Sequence, residues 1–150
     1  MLLKKKSSKN TAYALYNDII KYSRSKSYYY QSVSPLDIKN ADEKVLRVLK
    51  DRPEIAQEKC KNDVPFILIC VECGLIESVN WFLKTSKCVD LTDRQLKNIA
   101  TYAYELNLTD VLEACKKVAP QLLDAKDENG ISVAIRLEND KKIKELARKK

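Results

Sequence analysis

A phrase of six residues recurs 33 positions further along this chain. Gly74-Leu75-Ile76-Glu77-Ser78-Val79 is matched by Asn107-Leu108-Thr109-Asp110-Val111-Leu112, with a turn residue first and an acid at the fourth place. The same interval leads back from Ser78–Phe82 to the apolar segment Val45–Leu49. A recurrence with a period of roughly 20–50 residues is typical of stacked supersecondary units. The spacing therefore predicts a repeated scaffold that presents a binding surface.

The composition favours helices as the repeated elements. The chain has 150 residues, of which 45% are hydrophobic, enough for one domain with a buried core. Two glycines and four prolines are too few for the tight turns of an all-β fold, and the apolar residues recur at helical spacing. We predict an all-α fold: a short solenoid of helical hairpins with an extra N-terminal helical segment.

The chain divides into three segments. Residues 1–10 are basic and polar and are predicted to be disordered. Residues 11–40 are predicted to form an N-terminal helical cap, with a helix from Thr11 to about Arg24. Residues 41–150 are predicted to contain the helical repeats.

Local signals place the first helices of the repeats. Asp42 is the expected N-cap of a helix over Glu43–Lys50. Pro65 suits the first turn of a buried helix, which Gly74 would end in the left-handed conformation. A second helix is expected to start at Glu77, where the helix dipole favours an acid.

The same signals recur in the second half of the chain. Thr92 and Gln95 fit a capping box for a helix that ends at Asn107, a residue that tolerates the left-handed conformation. Thr109 is expected to cap the following helix. The segment 127–130 is the strongest turn signal, and Ser132–Leu137 and Ile143–Ala147 are predicted to form a last, shorter pair of helices. The predicted unit is helix, short turn, helix and longer polar loop.

These units resemble ankyrin repeats. Gly74–Leu83 is similar to the turn and outer helix of that family, and Asp127-Glu128-Asn129-Gly130 is similar to the loop that opens a repeat. The family's Thr-Pro-Leu-His opening is missing, with Val64-Pro65-Phe66 as a rough substitute, and the chain has no histidine. The resemblance covers roughly residues 40–150, and a helical-hairpin solenoid of another family is the rival interpretation.

The resemblance implies a non-enzymatic protein–protein interaction module. Ankyrin arrays bind protein partners through their loop tips and a concave surface built from several repeats. The corresponding candidate contact residues are Lys61, Asn62, Asp63, Asp90, Asp93, Arg94, Lys126, Asp127, Glu128 and Asn129. Short, degenerate, Lys-rich arrays of this kind are similar to those that intracellular bacteria and viruses use, which implies a pathogen effector or effector regulator that acts on host proteins.

The run Tyr28-Tyr29-Tyr30 lies among basic and serine residues and is a further candidate site. Such tyrosines can cover the first pair of helices, anchor a protein partner, or stack on nucleic-acid bases. The net charge is +7, with many of the excess cations near the two ends of the chain. A nucleic-acid-associated helical protein, using these basic termini and Tyr28–Tyr30, is therefore the alternative function.

The sequence offers little to support catalysis or metal binding. Without histidine there is no Ser-His or Cys-His pair, and no phosphate-cradling glycine-rich loop is present. Cys70-x-x-Cys73 lacks the second pair of ligands that a zinc site needs, so both are interpreted as packing residues. We expect no enzyme activity, no cofactor, no metal and no small-molecule substrate.

The five cysteines show no regular disulfide pattern, which fits a reducing compartment. The most apolar stretch, Val64–Leu83, carries Glu72, Glu77 and Asn80 and is interpreted as two buried helix faces, not as a membrane span. The lysines that follow Met1-Leu2-Leu3 are not succeeded by the apolar core of a secretory signal. The expected location is cytoplasmic, with delivery into a host cell if the effector interpretation holds.

Overall fold

Every regular element in the two ranges that the computed structural model describes, residues 2–23 and 34–148, is a helix. The α-helices of these ranges are α1 (Leu2–Ile19), α2 (Pro35–Asp51), α3 (Phe66–Glu72), α4 (Ile76–Thr85), α5 (Ile99–Glu105), α6 (Thr109–Val118), α7 (Gln121–Asp124) and α8 (Val133–Arg148). Short 3₁₀ turns lie at Ile20–Tyr22, Pro53–Gln57 and Lys61–Asp63. The all-α prediction is confirmed.

The helices are arranged in two layers. Helices α1, α3, α5 and α8 follow one another in one layer, each packed against the next. Helices α2, α4, α6 and α7 form the second layer in the same way. Because α3 lies between α1, α5 and α4, its residues 66–71 are all buried, which explains why this segment is apolar all round.

Two helical hairpins repeat with the spacing seen in the sequence. Helices α3 and α5 each have 7 residues, and α4 and α6 each have 10. Gly74 (φ 75°) and Asn107 (φ 59°) occupy the turns in the left-handed conformation, as predicted. In both turns the residue that follows donates its N–H to the carbonyl five residues earlier, at 2.9 and 2.8 Å, which is the long hydrogen bond of a Schellman motif.

The sequence predicts that Asp42 caps its own helix. In the structure it caps a neighbouring helix instead. Helix α2 starts earlier, at Pro35, with Ser34 as its N-cap, so Asp42 lies inside it. Its carboxylate accepts the backbone N–H groups of Glu77 and Ser78, both at 2.9 Å. Local sequence signals cannot reveal a cap that reaches from one helix to the start of another.

Helix α5 starts six residues later than the Thr92 cap predicts, at Ile99. Asn98 is the N-cap and forms a capping box with Thr101. Leu96 has a φ of 60° and cannot belong to a right-handed helix. Thr109 is likewise the first residue of α6 and not its cap.

The ends of the chain also differ from the prediction. The two short helices predicted after Ser132 form the single helix α8, because residues 138–142 contain no glycine or proline to interrupt it. Helix α1 starts at Leu2, within the segment predicted to be disordered.

Candidate functional site

Three loop tips, residues 60–64, 93–97 and 127–131, share one pattern of backbone hydrogen bonds. In each tip, the N–H of the first residue donates to the carbonyl of the fifth at 2.8–3.1 Å. The N–H of the fourth residue donates back to the carbonyl of the first. That fourth residue has a positive φ in every case: 60° at Asp63, 60° at Leu96 and 75° at Gly130. The first tip differs from the other two at its third residue, Asn62, which also has a positive φ of 64°.

Contacts between neighbouring tips hold them side by side. Arg94 donates from Nε and Nη2 to Asp63 Oδ2, at 3.1 and 2.8 Å, which joins the first tip to the second. The hydrogen bond from Arg94 lowers the pKa of Asp63. The Glu128 N–H donates to the Gln95 carbonyl at 2.9 Å, which joins the second tip to the third. The three tips therefore form one continuous edge of the fold.

Asp93 maintains the conformation of the second tip. Its Oδ1 accepts the N–H groups of Gln95 and Lys97 at 2.9 and 3.0 Å. Its Oδ2 accepts the hydroxyl of Tyr102 at 2.8 Å, which ties the tip to α5. This carboxylate is predicted to contact a partner, but both of its oxygens are engaged within the chain.

Asp127 has the same role in the third tip. Its Oδ1 accepts the N–H groups of Asn129 and Ile131 at 2.9 and 3.1 Å, and its Oδ2 accepts Arg136 at 3.1 Å. The bond from Ile131 is the main cause that lowers the pKa of Asp127. Its side chain is almost fully buried. Asp127 therefore stabilises the backbone of the third tip from a buried position.

A network of charges lies next to the second and third tips. Glu105 pairs with Lys97 at 3.1 Å and with Arg136 at 3.2 Å. A shallow cavity of about 190 Å³ lies beside it and is lined in part by Glu72 and Tyr102. The sequence gives no local signal for this network, because its members come from a loop and two helices that only the fold brings together.

Leu96 is a candidate contact residue that the sequence interpretation missed. It is 50% exposed at the middle tip, whereas the sequence predicts that it lies inside the helix that begins after Thr92 and ends at Asn107. A left-handed conformation costs a residue with a side chain about 1–2 kcal/mol, and the equivalent position of the third tip is Gly130. Strain at an exposed apolar residue is a physical reason to look for function there.

The structure exposes most of the other predicted contact residues. The exposed ones are Lys61, Asn62, Asp63, Asp90, Arg94, Lys126, Glu128 and Asn129. Asp90 precedes the second tip and accepts the thiol of Cys88 at 3.3 Å. Tyr28, Tyr29 and Tyr30 lie outside the described residues.

The cysteines of the Cys70-x-x-Cys73 motif lie in the core. Cys73 Sγ donates to the Ile19 carbonyl at 3.2 Å, and burial raises the pKa of both thiols. Within residues 2–23 and 34–148, no group of three or more His, Cys, Asp or Glu side chains is arranged to hold a metal ion. Both cysteines are completely buried in the core.

Comparison with known protein families, with curated proteins and with solved structures finds no match to this chain. None of the helices described is both long enough and apolar enough to cross a membrane.

Proposed function

We propose that this chain is a non-enzymatic protein–protein interaction module of divergent ankyrin type, which binds a protein partner along the edge formed by its three loop tips. The observation that supports the proposal most directly is the repetition of one backbone hydrogen-bond pattern at residues 60–64, 93–97 and 127–131, with a positive φ at the fourth residue each time. Repeat proteins build extended binding surfaces in this way, since each unit adds one copy of the same loop.

The hydrogen bonds within and between the tips support binding by a preformed surface. Each tip is closed by two backbone hydrogen bonds, and neighbouring tips are joined by Arg94–Asp63 and Glu128–Gln95. A partner that docks there orders little additional backbone, so less conformational entropy opposes association.

Leu96 would be the apolar centre of the contact. It projects from the middle tip, with the exposed residues Arg94 and Gln95 immediately before it. A partner that covers Leu96 would bury apolar surface worth about 25 cal/mol per Å². Single exposed apolar residues are common, so the conformational strain at this position is what distinguishes Leu96.

The test is an affinity purification from native lysates and from lysates of candidate host cells, read by mass spectrometry. The bait is the full chain and its Leu96→Gly variant. Glycine adopts a positive φ without strain, so this variant is expected to keep its fold while it loses the partner. The matched control is Leu36→Ala, which removes a 63% exposed leucine from α2 and is expected to retain the partner.

Two results would count against the proposal. One is a protein partner that Leu96→Gly and the double variant Lys61→Glu/Glu128→Lys retain as well as the wild type does. The other is enrichment of nucleic acid alone, with an affinity that falls steeply as salt rises, which would favour the nucleic-acid-associated alternative. A partner found only in host lysate would support the host-directed role.

A further inference from the structure

The third loop tip contains a chemically reactive pair of residues. Of all the asparagines in the chain, only Asn129 is followed by a glycine. Both Asn129 and Gly130 are exposed, and no other described part of the chain lies within 4 Å of the position that a Cβ of Gly130 would occupy. Because glycine has no side chain, its backbone nitrogen is unusually open to approach. The side-chain amide of Asn129 is therefore within reach of an unhindered backbone nitrogen.

Hydrogen bonds of the third tip restrain the same pair. The Gly130 N–H donates to the Asp127 carbonyl at 2.9 Å. The N–H groups of Asn129 and Ile131, on either side of Gly130, donate to Asp127 Oδ1 at 2.9 and 3.1 Å. The Gly130 nitrogen has to lose its proton and turn toward the Asn129 side chain before the two can react, and the bond to Asp127 opposes both changes.

We propose that Asn129 is a site of spontaneous deamidation, and that the hydrogen bonds of the third tip set the rate of this reaction. The Gly130 nitrogen forms a bond to Asn129 Cγ, which closes a succinimide ring. The bond between Cγ and Nδ2 breaks, and the proton from the Gly130 nitrogen leaves with the departing ammonia. Water then opens the ring at either carbonyl and yields aspartate or isoaspartate. The reaction consumes water alone and needs no oxidant or reductant.

The reaction changes the third tip in two ways. Either product carries a new carboxylate directly after the exposed carboxylate of Glu128. Isoaspartate also routes the main chain through the former side chain, which lengthens the backbone before Gly130. The N–H groups of Gly130 and Ile131 then no longer match their acceptors on Asp127. An effect on partner binding rests on the function proposed for the tips, whereas the deamidation itself does not.

Peptide mapping by mass spectrometry tests the proposal. The full chain is incubated at mildly alkaline pH, folded in buffer or unfolded in guanidinium chloride, and the conversion of each asparagine is followed with time. In the unfolded chain, Asn129 is expected to react before every other asparagine. In the folded chain its rate is expected to be at least about 5-fold lower, since a backbone hydrogen bond must open first and its net strength corresponds to about that factor.

Replacement of two acids separates the role of the hydrogen bonds from that of the sequence. Asp127→Ala removes the Oδ1 acceptor and is expected to raise the rate in the folded chain toward that of the unfolded chain. Asp124→Ala removes an exposed carboxylate of α7 and is expected to leave the rate unchanged. If circular dichroism shows that Asp127→Ala does not fold, Gly130→Ala is tested in guanidinium chloride, where the added Cβ is expected to remove most of the reactivity at Asn129.

The product is tested by urea unfolding. The aged chain is expected to have a lower midpoint than the fresh chain, whereas an aged Asn129→Gln variant is not, because glutamine closes such a ring far more slowly. Another asparagine that reacts first in the unfolded chain, or a Gly130→Ala variant that reacts as fast as the wild type, would overturn the assignment of the site. A folded chain that reacts as fast as the unfolded one, or an Asp127→Ala variant that reacts no faster than Asp124→Ala, would overturn control by the tip. These rates are measured without a partner, so failure of the function proposed for the tips would leave them unchanged.

Discussion

Replacement of Asp42 by alanine should destabilise the contact between α2 and α4. Asp42 is 6% exposed, and its carboxylate accepts the N–H groups of Glu77 and Ser78 in the first turn of α4. The Ser78 hydroxyl also donates to it, at 2.6 Å. Helix α4 therefore obtains its N-terminal cap from another helix, since its own N-cap residue, Leu75, has no side-chain acceptor.

The magnitude follows from the groups that lose their acceptor. The Ser78 N–H is buried, and a buried unsatisfied donor costs about 2 kcal/mol, whereas the partly buried Glu77 N–H costs about 1 kcal/mol. The Ser78 hydroxyl keeps a bond to the Asp42 carbonyl at 3.1 Å and adds little. Alanine is the better helix former by about 0.5 kcal/mol, which offsets part of the loss. The net decrease in the free energy of unfolding is about 2.5 kcal/mol.

Urea unfolding followed by circular dichroism at 222 nm measures this decrease as a lower midpoint with an unchanged slope. Asp42→Asn retains one acceptor oxygen and should lose about half as much. Glu43→Ala removes an exposed carboxylate from the next position of α2 and should change stability by less than about 0.5 kcal/mol. If Asp42→Ala proves as stable as Glu43→Ala, the carboxylate does not cap α4 and the reasoning fails.

Three other perturbations have defined outcomes. Cys88 is the exposed cysteine, and its pKa is raised because its thiol donates a hydrogen bond to Asp90. Ellman's reagent should therefore titrate one thiol per native chain, and the reaction should be slow in the wild type and faster in Asp90→Ala. The N–H of Ile131 holds the pKa of Asp127 below its ordinary value of 3.8. This carboxylate therefore stabilises the fold above pH 3.8, and its contribution is lost as the pH falls through the pKa of the folded state. Asp127→Asn should therefore lower stability at neutral pH and flatten its acid dependence, as pH-resolved urea titrations will measure; an unchanged acid dependence would contradict this. Gly130→Ala should cost about 1 kcal/mol from backbone strain alone, since no atom lies within 4 Å of the added Cβ, and an unaltered urea midpoint would refute it.

The repeat could be predicted from the sequence because its signals are local. A glycine or asparagine ends a helix where a left-handed residue is needed, and Gly74 and Asn107 both do so in the structure. The apolar residues of α3 are all buried, and in α4 Val79, Phe82 and Leu83 recur at helical spacing and are buried as expected. The turn at residues 127–130 could be predicted as well, because its acids, its asparagine and its glycine lie within four consecutive residues.

The candidate site could be predicted only in outline. The sequence indicates which loops are polar, but it does not distinguish Asp93 and Asp127, which stabilise the turns, from exposed neighbours such as Glu128. The helix predicted between Thr92 and Asn107 wrongly includes Leu96, which lies in the loop tip before Ile99. Its local sequence fits a helix, and the bonds that Asp93 makes to the tip backbone override that preference.

The sequence by itself determined the helical class, the 33-residue period and the positions where helices α3 and α5 end, since each depends on residues close together in the chain. Only the tertiary structure decided which helix Asp42 caps, how the three tips join into one edge, and that half of α8 extends from the body uncovered. These features depend on groups that are distant in the chain and adjacent in space, and their hydrogen bonds form only after the layers have packed.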